Sequence, residues 1–415
     1  MLLIYTIATR LYFFAIRLAS IFNVKASQII KGQKNWRQEL SSKIKPDSKY
    51  IWIHCASLGE FEQGRPLIEK LKKDPLTKDF KIVLSFFSPS GYEIRKNYSF
   101  ADVVCYLPFD KSKNAKDFLN IINPEFAVFV KYEFWYFYLQ EFKKQNIPAY
   151  SISAIFRETQ IFFKPYGKFY LSALKSFKHI FVQDENSGKI LLKKNITNFD
   201  ICGDTRTDRV IQIAKENYQN NIFDEFSKGK NTLVCGSTWP EDEAIIAELI
   251  NKSNDDYRFI IAPHELDEKH LENIEKAISC GIIRYSKIKE VLPKDVKVII
   301  IDSIGLLSKL YRYGKFSYVG GGFGTGIHNI LEAVVYKIPV VFGPNYKKFK
   351  EACDLVNLGV AFSINSQFEL ENIIFNTLCD PKKAVEIDNL AKAYISQSSG
   401  STQLIFDKLH YIGQF

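Results

Sequence analysis

From residue 50 onward the chain alternates short runs that are apolar almost throughout with longer stretches that are apolar on one side only. The runs fall at 50–55 (YIWIHC), 81–86, 102–106, 125–130, 148–153 and 178–183. A strand with one wet face would alternate polar and apolar residues. Runs without that alternation belong to strands buried on both faces, and amphipathic helices between them make the sheet parallel. The pattern lapses over the polar stretch 211–230 and resumes with strands predicted at 231–235, 257–262, 297–301, 316–319 and 338–342. Two doubly wound α/β domains are therefore predicted: 25–212, then a linker at 213–230, then 231–395. In open α/β sheets ligands bind beyond the carboxyl ends of the strands, so the chemistry is sought in the loops after each strand and in a cleft between two facing sheets.

Residues 1–24 follow a different rule. Arg10 and Arg17 interrupt an otherwise apolar segment, leaving charge-free stretches shorter than an uninterrupted span requires. On a helix Thr6, Thr9, Arg10, Arg17, Ser20 and Asn23 fall on one side, and Ile4, Ile7, Ala8, Leu11, Phe14, Ala15, Leu18 and Phe22 on the other. That pattern predicts a membrane-associated interfacial helix with arginines at the headgroups. A tilted span with snorkelling arginines, or an ordinary helix packed on the protein's own core, are the alternatives. No small-residue cleavage site follows, so a removable signal peptide is not expected.

Composition narrows the class. A chain of 415 residues, 46% apolar and 25% charged, has the makeup of a globular protein of two or three domains, which excludes disordered and fibrous classes. Lys and Arg number 56 against 46 Asp and Glu, a net charge of +10. The excess points to a polyanionic partner: nucleic acid, an anionic membrane surface or phosphorylated substrates. Seven cysteines without a Cys-x-x-Cys pair argue for reduced thiols rather than a disulfide framework. The six histidines show no metal-ligand spacing, so no metal site is expected.

Several strand-end loops carry candidate chemistry. The loop after the first strand reads His54-Cys55-Ala56-Ser57-Leu58-Gly59-Glu60. Ser57 and Glu60 have capping-box spacing, in which the carboxylate folds back on the Ser57 backbone. Alternatively Glu60 stands at the sheet edge as a general base. After the second strand, Ser88-Pro89-Ser90-Gly91 forms a polar turn that either offers N–H groups to an anion or only caps a helix. Glu133 follows the fourth strand, where a carboxylate also suits a helix dipole. The second domain opens with Gly236-Ser237-Thr238-Trp239-Pro240-Glu241, with Thr238 and Glu241 again at capping-box spacing and hydroxyls suited to a phosphate. His264 follows the next strand, facing either the cleft or ordinary surface.

The densest stretch is Gly320-Gly321-Gly322-Phe323-Gly324-Thr325-Gly326-Ile327-His328-Asn329-Ile330-Leu331-Glu332. Clustered glycines let a ligand approach the backbone closely, and His328 and Glu332 are predicted to share one helix face, with the carboxylate suited to a ribose diol. The stretch matches neither a Rossmann nor a Walker fingerprint. Finally, 161–168 mixes aromatic and basic residues, with Lys164 and Lys168 suited to a lipid headgroup; the alternative is a solvated helix.

Taken in order, these segments resemble the 3-deoxy-D-manno-octulosonic acid (Kdo) transferases of lipopolysaccharide assembly. The matching residues are Trp52–Glu60, Ser90-Gly91, Glu133-Phe134-Trp135, Gly203–Asp208, Gly236-Ser237-Thr238, Gly320–Glu332, Pro339 and Gly343-Pro344. The resemblance implies a GT-B fold with a C-terminal segment, 396–415, packing back on the first domain. It implies an inverting transferase at the cytoplasmic face of the bacterial inner membrane, with CMP-Kdo as a co-substrate rather than a cofactor, no resident metal, lipid IVA as acceptor and no nucleic-acid partner. Carried over by position, Glu60 corresponds to the general base and Glu133 to a second essential carboxylate. Gly236, Ser237, Thr238, His264, Gly321, Gly322, Asn329 and Glu332 correspond to the donor side. Ser57, Gly59, Ser90, Gly91, Lys164 and Lys168 are the candidate acceptor-binding residues. Two rivals stand beside this reading: another GT-B enzyme, such as a UDP-sugar transferase or epimerase, and a non-enzymatic membrane-bound protein that binds nucleotides or nucleic acid.

Overall fold

The run Tyr50–Cys55 is a strand, β1, with every residue buried. Its side chains divide by parity: Tyr50 and Trp52 join one apolar cluster, and Ile51, Ile53 and Cys55 another. Both faces of the sheet are thus covered, which is why the sequence shows no polar alternation. In a computed structural model that describes all residues except 132, 133, 290 and 291, β1 lies within a parallel seven-stranded sheet. Its other strands are β2 (Lys81–Phe86), β3 (Val103–Tyr106), β4 (Pro124–Val130), β5 (Ala149–Ala154), β6 (His179–Val182) and β7 (Phe199–Ile201), in the order β3-β2-β1-β4-β5-β6-β7. A second parallel sheet contains β8 (Asn231–Thr238), β9 (Tyr257–Pro263), β10 (Gly281–Arg284), β11 (Val296–Ile300), β12 (Phe316–Val319), β13 (Val340–Phe342) and β14 (Ala361–Ser363), in the order β10-β11-β9-β8-β12-β13-β14.

The chain forms two compact units, Met1–Arg209 with Ser398–Phe415, and Val210–Gln397. The polar stretch around 211–230 contains the helices Thr205–Lys215 and Asn221–Ser227, and Phe223 and Phe226 are buried in the second unit's core. The final helix, Ser401–Tyr411, belongs to the first unit, where Ile405, Phe406 and Leu409 pack with Leu67, Ile68 and Leu71. Asp208 holds its start by accepting from the Gly400 and Thr402 N–H groups at 2.7 and 2.6 Å. Asp204 accepts from Arg206 and Gln63, so the acidic residues of 203–208 work as internal fasteners.

The N-terminal helix Leu2–Ala19 is long and apolar enough to cross a membrane by length and composition. Its orientation inverts that of a soluble helix. Ile4, Ile7, Ala8, Leu11, Phe14, Ala15 and Leu18 are all exposed, as is Phe22 just beyond it, while Tyr5 and Phe13 are its buried residues. An ordinary helix packed through its apolar face is therefore not what forms. Tyr5 donates to Asp110 at 2.5 Å, and Phe13 stacks on Phe109 with ring centroids 4.0 Å apart.

Burial raises the Asp110 carboxyl to about 6, against the lowering effect of the Tyr5 and backbone hydrogen bonds. Between its unfolded value near 4 and its folded value near 6, the native chain binds a proton that the unfolded chain releases, so stability falls as pH rises through that window. Asp110→Asn is expected to remove that slope, making the variant more stable than wild type at pH 7.5 by on the order of 2 kcal/mol, with the gap closing near pH 4. Urea melts at both pH values check this; an unchanged slope in the variant would contradict it.

Candidate active site

In the first unit the chain leaves β1 toward β2 and β3 and then returns to β4 on the other side of β1. The loops after β1 and β4 therefore diverge at a topological switch point, where open α/β sheets bind ligands. Glu60 stands there, in the first turn of the helix Leu58–Lys73. Its carboxylate accepts from the Ser57 N–H at 3.1 Å. The capping box and a base at the sheet edge are thus compatible: one oxygen is oriented by the cap, and the half-buried carboxylate remains at the strand end. Burial pushes the Glu60 pKa up, while the Lys131 charge at the end of β4 and the Ser57 and Ala56 backbone hold it down. A carboxylate so placed can accept a proton at a higher pH than a solvated glutamate.

Ser88 N–H donates to the Ala56 carbonyl at 2.7 Å, joining the loop after β2 to the loop after β1. Ser57, Gly59, Glu60, Ser90 and Gly91 are thereby brought onto two connected loops. Ser90 is exposed, with its hydroxyl 2.9 Å from that of Ser88. Gly91 is buried, with its Cα directly against the Phe86 ring, so its small size serves packing. Glu133 lies outside the described residues. Lys164 sits elsewhere, between short turns at Ile161–Phe163 and Pro165–Gly167, and Lys168 opens the helix Lys168–Leu174. Phe169 and Tyr170, which follow, meet the Tyr5 ring of the N-terminal helix.

In the second unit the corresponding switch point lies between β8 and β12. The end of β8 is bulged: its register against β9 shifts between Gly236 and Thr238, and Ser237 adopts φ 53°, unusual for a residue with a Cβ. The bulge displaces the helix start by one residue. The cap is Trp239, whose N–H donates to Asp242 at 3.0 Å, instead of the expected Thr238–Glu241 pair. Thr238 is fully buried and its hydroxyl donates to Glu243 at 2.8 Å, so the group the sequence offers to a phosphate is already committed. Asp242, not anticipated from the sequence, also accepts from the Tyr318 hydroxyl at 2.7 Å and from the Gly321 N–H at 2.8 Å. It fastens the glycine loop to the end of β8.

That loop is braced by its own backbone: Gly324 and Gly326 donate to the Gly321 carbonyl, and His328 to that of Gly320. The following helix begins only at Leu331. His328 therefore does not share a helix face with Glu332; it lies in the loop and accepts from the Trp239 indole at 3.1 Å. Trp239, His264 and His328 form a stack with centroids 4.6 Å apart at each step. Burial, with the neighbouring His264, lowers the His328 pKa to about 4, so this ring is neutral at pH 7. Asn329 donates to Glu332 at 3.2 Å. Gly236 and Ser237 at the end of β8, His264, Gly321, Gly322 and Asn329 on the loops that follow β9 and β12, and Glu332 in the first turn of the next helix are thus all at the carboxyl ends of neighbouring strands. Among the described residues Glu265, Asp267 and His270 bring three ligating atoms within 4.8 Å of one another. Asp267 already caps the His270 N–H, and the His270 ring pairs with Glu243, leaving an ordinary surface network.

Residues 34–209 match the family model described as 3-deoxy-D-manno-octulosonic-acid transferase. A Rickettsia bellii 3-deoxy-D-manno-octulosonic acid transferase is 26% identical over 389 residues, covering 90% of each chain. Over these spans the chain is similar to the Kdo transferases. A bifunctional glycosyltransferase/methyltransferase of Fusobacterium nucleatum is 28% identical over 312 residues, covering 72% of this chain and 47% of its own, so the match spans about half the length of that relative. In structure, a protein described as a UDP-N-acetylglucosamine 2-epimerase of Listeria monocytogenes superposes with TM-score 0.62 at 13% identity, over 88% of this chain and 97% of the other. That likeness shows the fold alone, a GT-B arrangement of two parallel-sheet units.

Proposed function

We propose that the chain transfers Kdo from CMP-Kdo to lipid IVA, with inversion, in lipopolysaccharide biosynthesis at the cytoplasmic face of the inner membrane. The observation that carries the reading is Glu60: a half-buried carboxylate with a raised pKa, oriented by the Ser57 N–H at the switch point of the first sheet. Glu60 takes the proton of an acceptor hydroxyl as that oxygen bonds to the anomeric carbon of Kdo. The bond from that carbon to the phosphate oxygen breaks, and CMP leaves as an anion. Glu133 serves as the second essential carboxylate. Gly236, Ser237, His264, Gly321, Gly322, Asn329 and Glu332 form the donor side, and Thr238 supports it from beneath through Glu243. Ser57, Gly59, Ser90 and Gly91 form the acceptor side, with Lys164 and Lys168 toward the lipid headgroup. The net charge of +10 suits the anionic substrates and membrane surface. The exposed apolar side of the N-terminal helix is the membrane anchor.

The test is transfer by the purified chain, with CMP-Kdo generated in situ and lipid IVA in detergent, read by mass spectrometry. Added Kdo mass is expected; a well-folded protein that transfers nothing would refute the reading. The reaction is assigned no resident metal, so the rate is expected to survive exhaustive EDTA treatment. Loss in EDTA with rescue by a divalent cation would overturn that part alone.

A further inference from the structure

Beneath the N-terminal helix lies a cavity of about 810 Å³. Thr6, Thr9, Arg10 and Arg17 of the helix's polar side line it, and Phe14 of the exposed apolar face stands at its border. Five cations line it: Arg10 and Arg17 from the helix, Lys34 just beyond the next helix, Val24–Gly32, and Lys111 and Lys113 at the start of the helix Ser112–Ile122 that follows β3. None of the five forms an ion pair among the described residues. Phe13, Phe14, Phe109 and Phe137 supply apolar wall. The single carboxylate is Asp110, which is 2% exposed and leaves Oδ1 without a hydrogen-bond partner.

The cavity is thus cationic, partly apolar, and has one orphaned acceptor. It shares no lining residue with the Ser57–Glu60 loop or the Ser88–Gly91 turn. We propose that it binds the headgroup of an anionic glycerophospholipid of the bilayer. The lysines and arginines meet the phosphate, Asp110 accepts from a headgroup hydroxyl, and the acyl chains leave along the exposed face of the N-terminal helix. This rests on the membrane-anchored reading above, though not on the transfer reaction. A lipid bound in this way would fix the depth and roll of the helix, which apolar burial alone leaves free.

The test is flotation of the full chain with vesicles of phosphatidylcholine alone and of phosphatidylcholine mixed with phosphatidylglycerol, which needs no catalysis. Lys34→Glu, Lys111→Glu and Lys113→Glu are combined, all at exposed positions. A control reverses Lys45, Lys78 and Lys178, which are exposed and line no part of the cavity. The cavity variant is expected to lose about tenfold or more of its binding to the mixed vesicles, to keep its binding to neutral ones, and to melt as wild type. Lys113→Glu alone is expected to show a smaller loss of the same kind. Equal loss in the control would make the effect one of net charge and overturn the proposal. Unchanged flotation with a raised KM for the lipid acceptor would assign the cavity to the acceptor and also overturn it. A wild-type chain that binds neither vesicle would instead refute the anchored reading itself.

Discussion

Glu60→Gln is expected to reduce Kdo transfer by roughly 10²- to 10⁴-fold while the protein melts within experimental error of wild type. The amide keeps the shape of the carboxylate and an oxygen able to accept from the Ser57 N–H, so the cap survives and the lost function is proton abstraction. Glu60→Ala separates the two roles: it also loses the cap, at about 1 kcal/mol of stability. A Gln variant with wild-type kcat would dismiss Glu60 as the base and leave it a helix cap. The pH profile adds a second readout. The base must be ionised to act, and burial raises its pKa, so activity should fall on acidification above the usual glutamate range. Lys131 favours the ionised form. Lys131→Met should therefore move the acid limb to higher pH, whereas a purely structural Glu60 would leave that limb where it was.

The parts of the fold legible in the sequence were those that bury both faces of a strand. The interiors of both sheets announce themselves as apolar runs, and the observed strands follow them closely. The strands that escaped, β7, β10 and β14, all lie at sheet edges. Phe199-Asp200-Ile201 is partly exposed, with Asp200 paired to His179 and Lys408. All three are largely half-exposed and lack a buried apolar run, whereas the fourth edge strand, β3, is mostly buried and shows one at 102–106. The N-terminal helix was legible for the opposite reason, since its apolar side has no counterpart inside the protein and its polar side carries the Tyr5–Asp110 contact.

Site chemistry was legible where it depends on local spacing. Ser57 and Glu60 form the box their separation implies. It was illegible where one backbone irregularity changes the count. The bulge at Ser237 moves the cap from Thr238 to Trp239, and the carboxylate that matters becomes Asp242 instead of Glu241. His328 and Glu332 fail to share a face because the loop delays the helix until Leu331, so a spacing that presumes continuous helix no longer applies. The signal that was present is the residue pattern Trp239-Pro240-Glu241-Asp242 itself: proline favours the first helical position, which makes Trp239 the cap and Asp242 the third residue of the helix.

Gly322→Ala is expected to destabilise the second unit by about 3 kcal/mol, a fall of roughly 6–12 °C in its melting temperature, and to abolish donor binding with it. A Cβ on Gly322 would stand 2.5 Å from the Gly343 nitrogen and 2.7 Å from its Cα. The neighbour is backbone, with no side chain to swing away. The two loops cannot separate freely either, because β12 and β13 pair directly before them, Ser317 with Val340 and Tyr318 with Val341. Asn345 N–H also donates to the Gly322 carbonyl at 2.9 Å. Gly343→Ala should behave alike, since its own Cβ would meet Gly322 and Phe323 backbone at 2.6 and 2.8 Å. Gly324→Ala supplies the contrast within the same loop: its nearest neighbour would be the Gly321 carbonyl oxygen at an ordinary 3.7 Å, and a change of no more than about 0.5 kcal/mol is expected. Calorimetric melts of the three variants, with CMP titrated into each, decide the matter. If Gly322→Ala and Gly324→Ala melt together, the close approach of the two loops is not what shapes this edge; if only the first two melt early and lose CMP binding, the glycines are there so that the backbones ending β12 and β13 can touch beneath the nucleotide.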